Sequence, residues 1–273
     1  MQYFDKSGWR VPSSDMRTFG EIRGNYYLLD QPRIDYASIL DRIGRHLGTA
    51  LDITADQFEG RIAALLSRLR SSTDIGNLAG GVYVPFAFRR AQQGADLGTE
   101  LQDYLLPGLQ KSFTERFPEA RFKAVLQGDS KLARSISLDP HSRYQQFVDV
   151  SEQRTVVGLY FPQALQEFDL ASQRRQMQSL PDPVGASICL SGGGDICAAL
   201  TGTPELLFSQ DFYTPIPTMA AYVHTDERLV LLLKAYGPHL EFWCMTQMLT
   251  PNVTQVSEQW AGGLTVYDDF QLS

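Results

Sequence analysis

The stretch "CLSGGGDICAALTG", residues 189–202, decides how this sequence is interpreted. It continues an apolar run from Ala186 to Leu190, which is typical of a short buried strand. Ser191, three glycines and Asp195 follow, and then an apolar segment with helical character. The pattern therefore predicts a strand, a glycine-rich turn and a helix in direct succession.

Such a loop has the composition of an anion site. Glycines allow several backbone N–H groups to converge on one point, and a helix N-terminus adds a positive partial charge. The loop lacks the Gly-Lys-Ser/Thr ending of the Walker A motif, the spacing of the G-x-S-x-G nucleophile elbow and the G-x-G-x-x-G fingerprint. If it binds phosphate, the candidate residues are Ser191, Gly192, Gly193, Gly194 and Asp195.

These five residues resemble the PP-loop of the ATP pyrophosphatases, the family of asparagine and GMP synthetases. In that family a strand is followed by Ser-Gly-Gly-any-Asp-Ser/Thr and a helix. Ser191–Asp195 match this signature, and Ile196 departs from it at the hydroxyl position. The resemblance implies that the Ser191 hydroxyl and the loop N–H groups would hold pyrophosphate, with ATP and Mg²⁺ as cofactors.

Phosphate sites usually add an arginine or lysine, and the candidates here are Lys234, Arg174 and Arg175. The alternative, which the sequence favours, is a glycine-rich turn that packs two buried elements closely and needs no cofactor. The two interpretations differ in whether a cation reaches the loop.

Outside this stretch the first half of the chain is rich in helical patterns. Apolar residues recur on one helix face over 36–47 and again over 58–69, where Thr54 and Gln57 form a capping-box pattern. A third pattern over 97–117 contains Pro107, which predicts a kink or two short helices. Pro85 marks the run "GGVYVPFAF" as an edge or bulged strand.

From Arg121 onward the sequence contains short runs of residues that favour β-strands. The runs "RFKAVLQ", "LARSISL", "YQQFVDV" and "TVVGLYF" predict an antiparallel meander, and Pro162 is expected to open a helix that ends before "PDP" at 181–183. Further strands are predicted after residue 218, the last at 264–267. The expected fold class is α+β, with a helix-rich N-terminal half and a mostly antiparallel mixed sheet in the C-terminal half. The division is into residues 1–180 and 183–273, or one compact domain.

Composition excludes several classes of function. The 273 residues are 43% hydrophobic and carry a formal net charge of −7, and the basic doublets Arg89–Arg90 and Arg174–Arg175 are interpreted as solvated element ends. Nucleic-acid binding is therefore not expected.

The N-terminus lacks a signal-peptide pattern and no apolar run reaches membrane length. Cys189, Cys197 and Cys244 match no zinc or redox motif, and the four histidines form no metal-ligand pair, so the expected site is metal-free and the expected compartment is the cytoplasm.

No complete catalytic constellation emerges, and the sequence leaves open whether the chain is an enzyme. The function predicted is a non-catalytic protein-interaction, assembly or regulatory module with a protein partner or self-association. Aromatic residues near the two ends, namely Trp9, Tyr26, Tyr27 and Trp260, favour an interface. The alternative is a nucleotide- or phosphate-binding enzyme or sensor built on Ser191–Asp195.

Overall fold

The computed structural model describes residues 2–13, 28–91, 94–126, 131–183, 186–209, 214–236, 239–246 and 260–269. Its fold class is α+β, as predicted. The α-helices in these ranges are Tyr36–Leu47 (α1), Ala55–Ser71 (α2), Leu97–Glu100 (α3), Leu106–Arg116 (α4), Tyr144–Gln153 (α5), Leu170–Gln178 (α6) and Gly193–Gly202 (α7). The strands are Val84–Phe88 (β1), Arg121–Leu126 (β2), Ile136–Leu138 (β3), Val156–Phe161 (β4), Ser187–Leu190 (β5), Ile216–Thr218 (β6), Tyr222–His224 (β7), Leu229–Tyr236 (β8), His239–Thr246 (β9), Trp260–Gly262 (β10) and Leu264–Tyr267 (β11).

The first sheet lies in the core and has the strand order β1-β4-β11-β5. Each strand in it is antiparallel to its neighbours. Pro85 lies in β1 at the sheet edge, as predicted, where its missing N–H breaks no ladder. β4 comes from the range 1–180, whereas β5 and β11 come from 183–273, so the two ranges share this sheet. The division of the chain between them stays a prediction.

Helix α7 lies at the centre of the molecule, and all ten of its residues are buried. It follows β5 after two residues, as the strand, turn and helix pattern predicts, and it packs against α1, α4 and β1. Because every residue of α7 is buried, its stability comes from packing against these neighbours. At its C-terminal end the Arg42 guanidinium donates to the Gly202 carbonyl oxygen from Nε at 2.8 Å, which satisfies a terminal carbonyl.

Helices α1 and α2 form as their spacing predicts. Asp35 caps α1 by accepting from Ser38 N at 3.0 Å, and Thr54 and Gln57 form the predicted capping box at α2. The side chains on the predicted apolar faces are buried, namely Ile39, Ile43 and Leu47 in α1 and Phe58, Ile62, Leu65, Leu66 and Leu69 in α2.

The segment around Pro107 is helical but irregular. A π-helix at Leu101–Leu105 joins α3 to α4, and the Leu106 N–H donates to the Leu101 carbonyl. Pro107 lacks an N–H and would clash with the carbonyl four residues earlier in a regular helix. The wider π turn accommodates this residue, so the expected irregularity takes the form of a π segment.

The second sheet has the order β10-β6-β8-β9-β2. Strands β8 and β9 form an antiparallel hairpin, whereas β2 pairs with β9 in parallel. In β9, burial alternates strictly from His239 to Cys244, so one face of the hairpin lies on the core. β3 and β7 form a separate two-stranded sheet.

The predicted meander after Arg121 is wrong. "YQQFVDV" forms helix α5, because Tyr144, Phe147 and Val148 have the i, i+3, i+4 spacing of a buried helix face. The β-prone composition of this run concealed that spacing. The three remaining runs contribute to three different sheets.

The helix expected from Pro162 begins later, at Leu170, where Asp169 caps it by accepting from Ser172 N at 2.6 Å. Turns occupy 162–167. Leu165 and Phe168 would have been buried by a helix, and they are buried here as well, because the turns fold onto the hydrophobic core.

Candidate functional site

The Ser191–Asp195 loop lies inside the core. Ser191 and Asp195 have no exposed surface. The Ser191 N–H donates to the Gly263 carbonyl at 3.1 Å, and the Ser191 carbonyl accepts from Ala221 N at 3.1 Å. Backbone from two other segments therefore clamps the loop on both sides.

The N–H groups of Gly192–Gly194, which would hold a phosphate, face groups of the protein itself. The first donates to Asp195 Oδ1 at 2.8 Å. The third donates to the Tyr144 hydroxyl at 3.1 Å. The second faces Tyr222, whose hydroxyl oxygen would lie 3.0 Å from a Cβ atom at Gly193. A carboxylate and two phenols thus occupy the positions that an anion would take at this helix N-terminus.

Aromatic rings fill the space beside the three glycines. A Cβ atom at Gly192 would lie 2.7 Å from Tyr144 Cζ, and one at Gly193 would lie 2.8 Å from Tyr222 Cε2. At Gly194 the distance to Phe88 Cε1 would be 2.8 Å. The glycines are needed here because the rings approach the backbone more closely than any Cβ allows.

The Asp195 carboxylate is the centre of a buried hydrogen-bond network. Its Oδ1 accepts from the Tyr144 hydroxyl at 2.8 Å, and its Oδ2 accepts from the Thr265 hydroxyl. Since the Thr265 proton points to Asp195, the Ser191 hydroxyl donates to Thr265 Oγ1, at 2.9 Å. The network ties the loop to α5 and β11, and it satisfies the polar side chains that the loop buries.

Burial raises the pKa of Asp195 to about 6, because the surroundings disfavour the charged carboxylate. The hydrogen bonds from Thr265, Tyr144 and Gly192 oppose this effect. Burial also raises the pKa of Tyr144 and Tyr222 above that of an exposed tyrosine, so both phenols keep their protons. At neutral pH the Asp195 carboxylate is the internal anion at the positive end of α7.

Titration of Asp195 is expected to make the free energy of unfolding depend on pH. Its pKa rises from 3.8 to about 6 on folding, so its contribution is fully present below pH 3.8 and is lost as the pH rises through about 6. At about 1.4 kcal/mol per pKa unit, the loss is about 3 kcal/mol. Urea denaturation of the wild type and Asp195→Asn, from acidic to neutral pH, measures it as a difference between the two proteins. Parallel pH profiles for the two proteins would rule out this titration.

The three candidate cations have other partners in the described residues. The Arg174 guanidinium donates to the carbonyls of Ala220 and Tyr222, and its Nε lies 3.2 Å from Asp139 Oδ2. Arg174 therefore holds the segment whose tyrosine covers the loop.

The other two candidates lie on separate elements. Arg175 donates to Ser172 Oγ at 3.3 Å within α6. The Lys234 ammonium lies 5.7 Å from the centroid of the Trp243 ring in the second sheet. The described contacts of all three side chains are with residues outside Ser191–Asp195.

The three thiols are buried and free. Burial raises the pKa of Cys189, Cys197 and Cys244, the last to about 11, so none has the thiolate character of a nucleophile.

Among the described ranges, no three His, Cys, Asp or Glu side chains are grouped to hold a metal ion. No helix in the part of the chain that the structure describes is long and apolar enough to cross a membrane.

A second polar cluster involves the Arg89–Arg90 doublet. Arg90 is only 6% exposed, so its interpretation as a solvated element end is wrong. Its Nε donates to both Glu100 oxygens at 3.0 Å and its Nη1 to Glu152 at 2.6 Å. The cluster borders a cleft of about 440 Å³ beside Thr49, but the Arg90 guanidinium is already paired with two carboxylates.

Sequence reasoning missed the three side chains that complete the loop: Tyr144, Tyr222 and Thr265. Tyr144 lies in the run interpreted as a strand, and all three are remote from the loop in sequence. Their side chains meet Ser191–Asp195 only through the packing of α5, β7 and β11, so no local pattern could identify them.

Of the aromatic residues expected at an interface, Trp9 is buried, Trp260 is half-buried and Tyr26 and Tyr27 lie outside the described residues.

The comparisons with known proteins found no relative. No protein-family model matches this chain, and no curated protein or solved structure matches it either.

Proposed function

We propose that this protein is a non-catalytic protein-interaction or regulatory module in which the Ser191–Asp195 loop is a structural element of the core. One observation carries the proposal. The N–H groups of Gly192 and Gly194 donate to Asp195 and Tyr144, and the Tyr222 ring lies against Gly193, so the anion site that the sequence suggests has internal ligands.

Phosphate binding would need a large rearrangement. A phosphate at the loop would have to displace the Asp195 carboxylate and two tyrosine rings, and it would leave that carboxylate buried beside a second anion. Burying like charges together is strongly unfavourable. The Ser191 hydroxyl has no exposed surface and already donates to Thr265, which argues against nucleophilic chemistry.

The surface of the molecule has a feature suited to binding a protein partner, whereas the buried loop has no space for a substrate. The second sheet ends in the exposed strand β2, whose Arg121, Lys123 and Ala124 are exposed. An edge strand presents unpaired backbone donors and acceptors, which is a common basis for recognition between proteins.

Nucleotides and pyrophosphate are expected to leave the melting temperature unchanged. A ligand at about 100 times its dissociation constant would stabilise the folded state by about 2.7 kcal/mol, which a thermal-shift assay detects easily. The assay uses ATP, ADP, GTP and pyrophosphate, each with and without Mg²⁺. The flat response follows from the internal ligands of Gly192–Gly194.

Asp195→Asn is the matched control in this assay, because an asparagine keeps the size and most of the hydrogen bonds of Asp195. A stabilisation of the wild type by pyrophosphate or ATP that disappears in Asp195→Asn would contradict the proposal. That result would support the alternative, a nucleotide- or phosphate-binding enzyme or sensor that uses this loop.

A further inference from the structure

Strand β2 forms one edge of the second sheet among the described residues, and β10 forms the other. It pairs with β9 in parallel along all six of its residues, from Arg121 with His239 to Leu126 with Cys244. Alternate residues of a strand direct both N–H and C=O to the same side. Half of the backbone groups of β2 therefore face away from β9, where no described strand accepts them.

One face of this edge is basic. Arg121 and Lys123 lie on the same side of β2, both side chains are exposed, and neither forms an ion pair with a described carboxylate. Across the sheet Lys123 is opposite Glu241, which is opposite Lys234 in β8. The Glu241 carboxylate accepts from Trp243 Nε1 at 2.7 Å, so part of its acceptor capacity is used within β9.

The other face of the edge is apolar. Phe122, Ala124 and Leu126 are opposite Leu240, Phe242 and Cys244, which are buried on the core side of the sheet. Phe122 and Leu126 are half-buried and pack against the core, whereas Ala124 is exposed. The core face of the sheet is thus only partly covered along β2.

We propose that β2 binds an extended segment of a partner protein in which acidic and apolar residues alternate. Its backbone would add a strand beside β2, its carboxylates would lie next to Arg121 and Lys123, and its apolar side chains would extend the face formed by Phe122 and Ala124. This inference rests on the proposed function as an interaction module and names the chemistry of the partner.

Charge argues against a second copy of this chain as the occupant. If two β2 edges paired antiparallel around Phe122 or Lys123, Lys123 would be opposite Arg121 or a second Lys123. Like charges directly opposite each other destabilise a strand pair. An acidic segment converts the same residues into favourable pairs.

Fluorescence anisotropy with the peptide EVEVEV-amide, labelled with fluorescein at its N-terminal amine, tests this proposal on the full chain. The peptide is expected to bind at least tenfold more tightly than KVKVKV. The double variant Arg121→Glu/Lys123→Glu is expected to reverse that preference, and its circular dichroism and melting curve verify that it folds. Arg33→Glu/Arg70→Glu, at two exposed residues outside the second sheet, is the matched charge change away from the edge.

Two N-methylated peptides distinguish strand addition from simple charge attraction. One carries methyl groups on every glutamate nitrogen and the other on every valine nitrogen. Because alternate N–H groups face β2, one peptide should keep its affinity and the other should lose it at least tenfold. Equal binding of both would overturn strand addition, and tighter binding of a dT oligonucleotide than of EVEVEV would overturn the assignment to an acidic peptide.

Absence of binding by every peptide would overturn this inference but not the proposed function. Photo-crosslinking in cells, with a benzoylphenylalanine at Ala124 or at the exposed Tyr104, separates the two. A single defined protein linked through position 104 but not 124 would retain an interaction module and place its surface elsewhere. Linkage at neither position, together with a pyrophosphate-induced stabilisation, would refute both.

Discussion

Asp195→Ala is expected to lower the free energy of unfolding by about 4 kcal/mol at neutral pH. The substitution leaves the Gly192 N–H and the hydroxyls of Tyr144 and Thr265 without their acceptor, in a core that excludes water. An unsatisfied buried donor costs about 1–3 kcal/mol, and the missing carboxylate adds a cavity. Urea denaturation followed by circular dichroism measures the change.

Asp195→Asn separates the loss of the hydrogen bonds from the loss of the charge. The amide oxygen can accept from Gly192 and Tyr144, and the amide nitrogen can donate to Thr265 if that hydroxyl rotates. We therefore expect a change within about 1.5 kcal/mol of the wild type. If Asp195→Ala were as stable as the wild type, the carboxylate would not hold the core together and the account of the loop would fail.

Gly192→Ala is expected to lower the free energy of unfolding by about 2 kcal/mol. Its Cβ would lie 2.7 Å from Tyr144 Cζ and 2.8 Å from Tyr222 Cε1. The backbone at Gly192 is extended, with φ at −125°, so the cost arises from packing and not from backbone strain. Overpacking a dense core typically costs about 1–3 kcal/mol. The same denaturation experiment measures it.

Gly44→Ala is the matched control for this substitution. Gly44 lies within helix α1, and no atom lies within 4 Å of the Cβ it would gain. Alanine is favoured over glycine in a helix interior by about 1 kcal/mol, so this variant should be more stable than the wild type. Equal effects of the two substitutions would mean that the tyrosine rings do not fill the space beside Gly192.

Local periodicity explains which parts of the fold could be predicted. The faces of α1 and α2, the capping box at Thr54 and the strand, turn and helix around Ser191 all depend on residues close in sequence. Such patterns determine local structure because each turn or strand buries its own apolar side chains. The same logic fails at "YQQFVDV", where composition favours a strand but the spacing of Tyr144 and Phe147 favours a helix.

The candidate site was less predictable, because its chemistry depends on partners from elsewhere in the chain. From the sequence alone, the glycines of the loop are equally compatible with a bound phosphate and with a packed aromatic ring. The tyrosines at 144 and 222 decide between the two, because their rings fill the space beside the glycines. Arg90 is a similar case. As a doublet it resembles a solvated end, yet Glu100 and Glu152 reach it only in the folded protein and permit its burial.

The most direct test of the loop's structural role is native-state amide hydrogen exchange at Gly192, Gly193 and Gly194, with and without pyrophosphate. The N–H groups of Gly192 and Gly194 donate to Asp195 and Tyr144 in the core, and the Tyr222 ring covers Gly193. All three should therefore exchange only through global unfolding, as slowly as the amides of β4, and pyrophosphate should have no effect. Rapid exchange at these glycines that pyrophosphate slows would contradict this account and identify the loop as an open anion site.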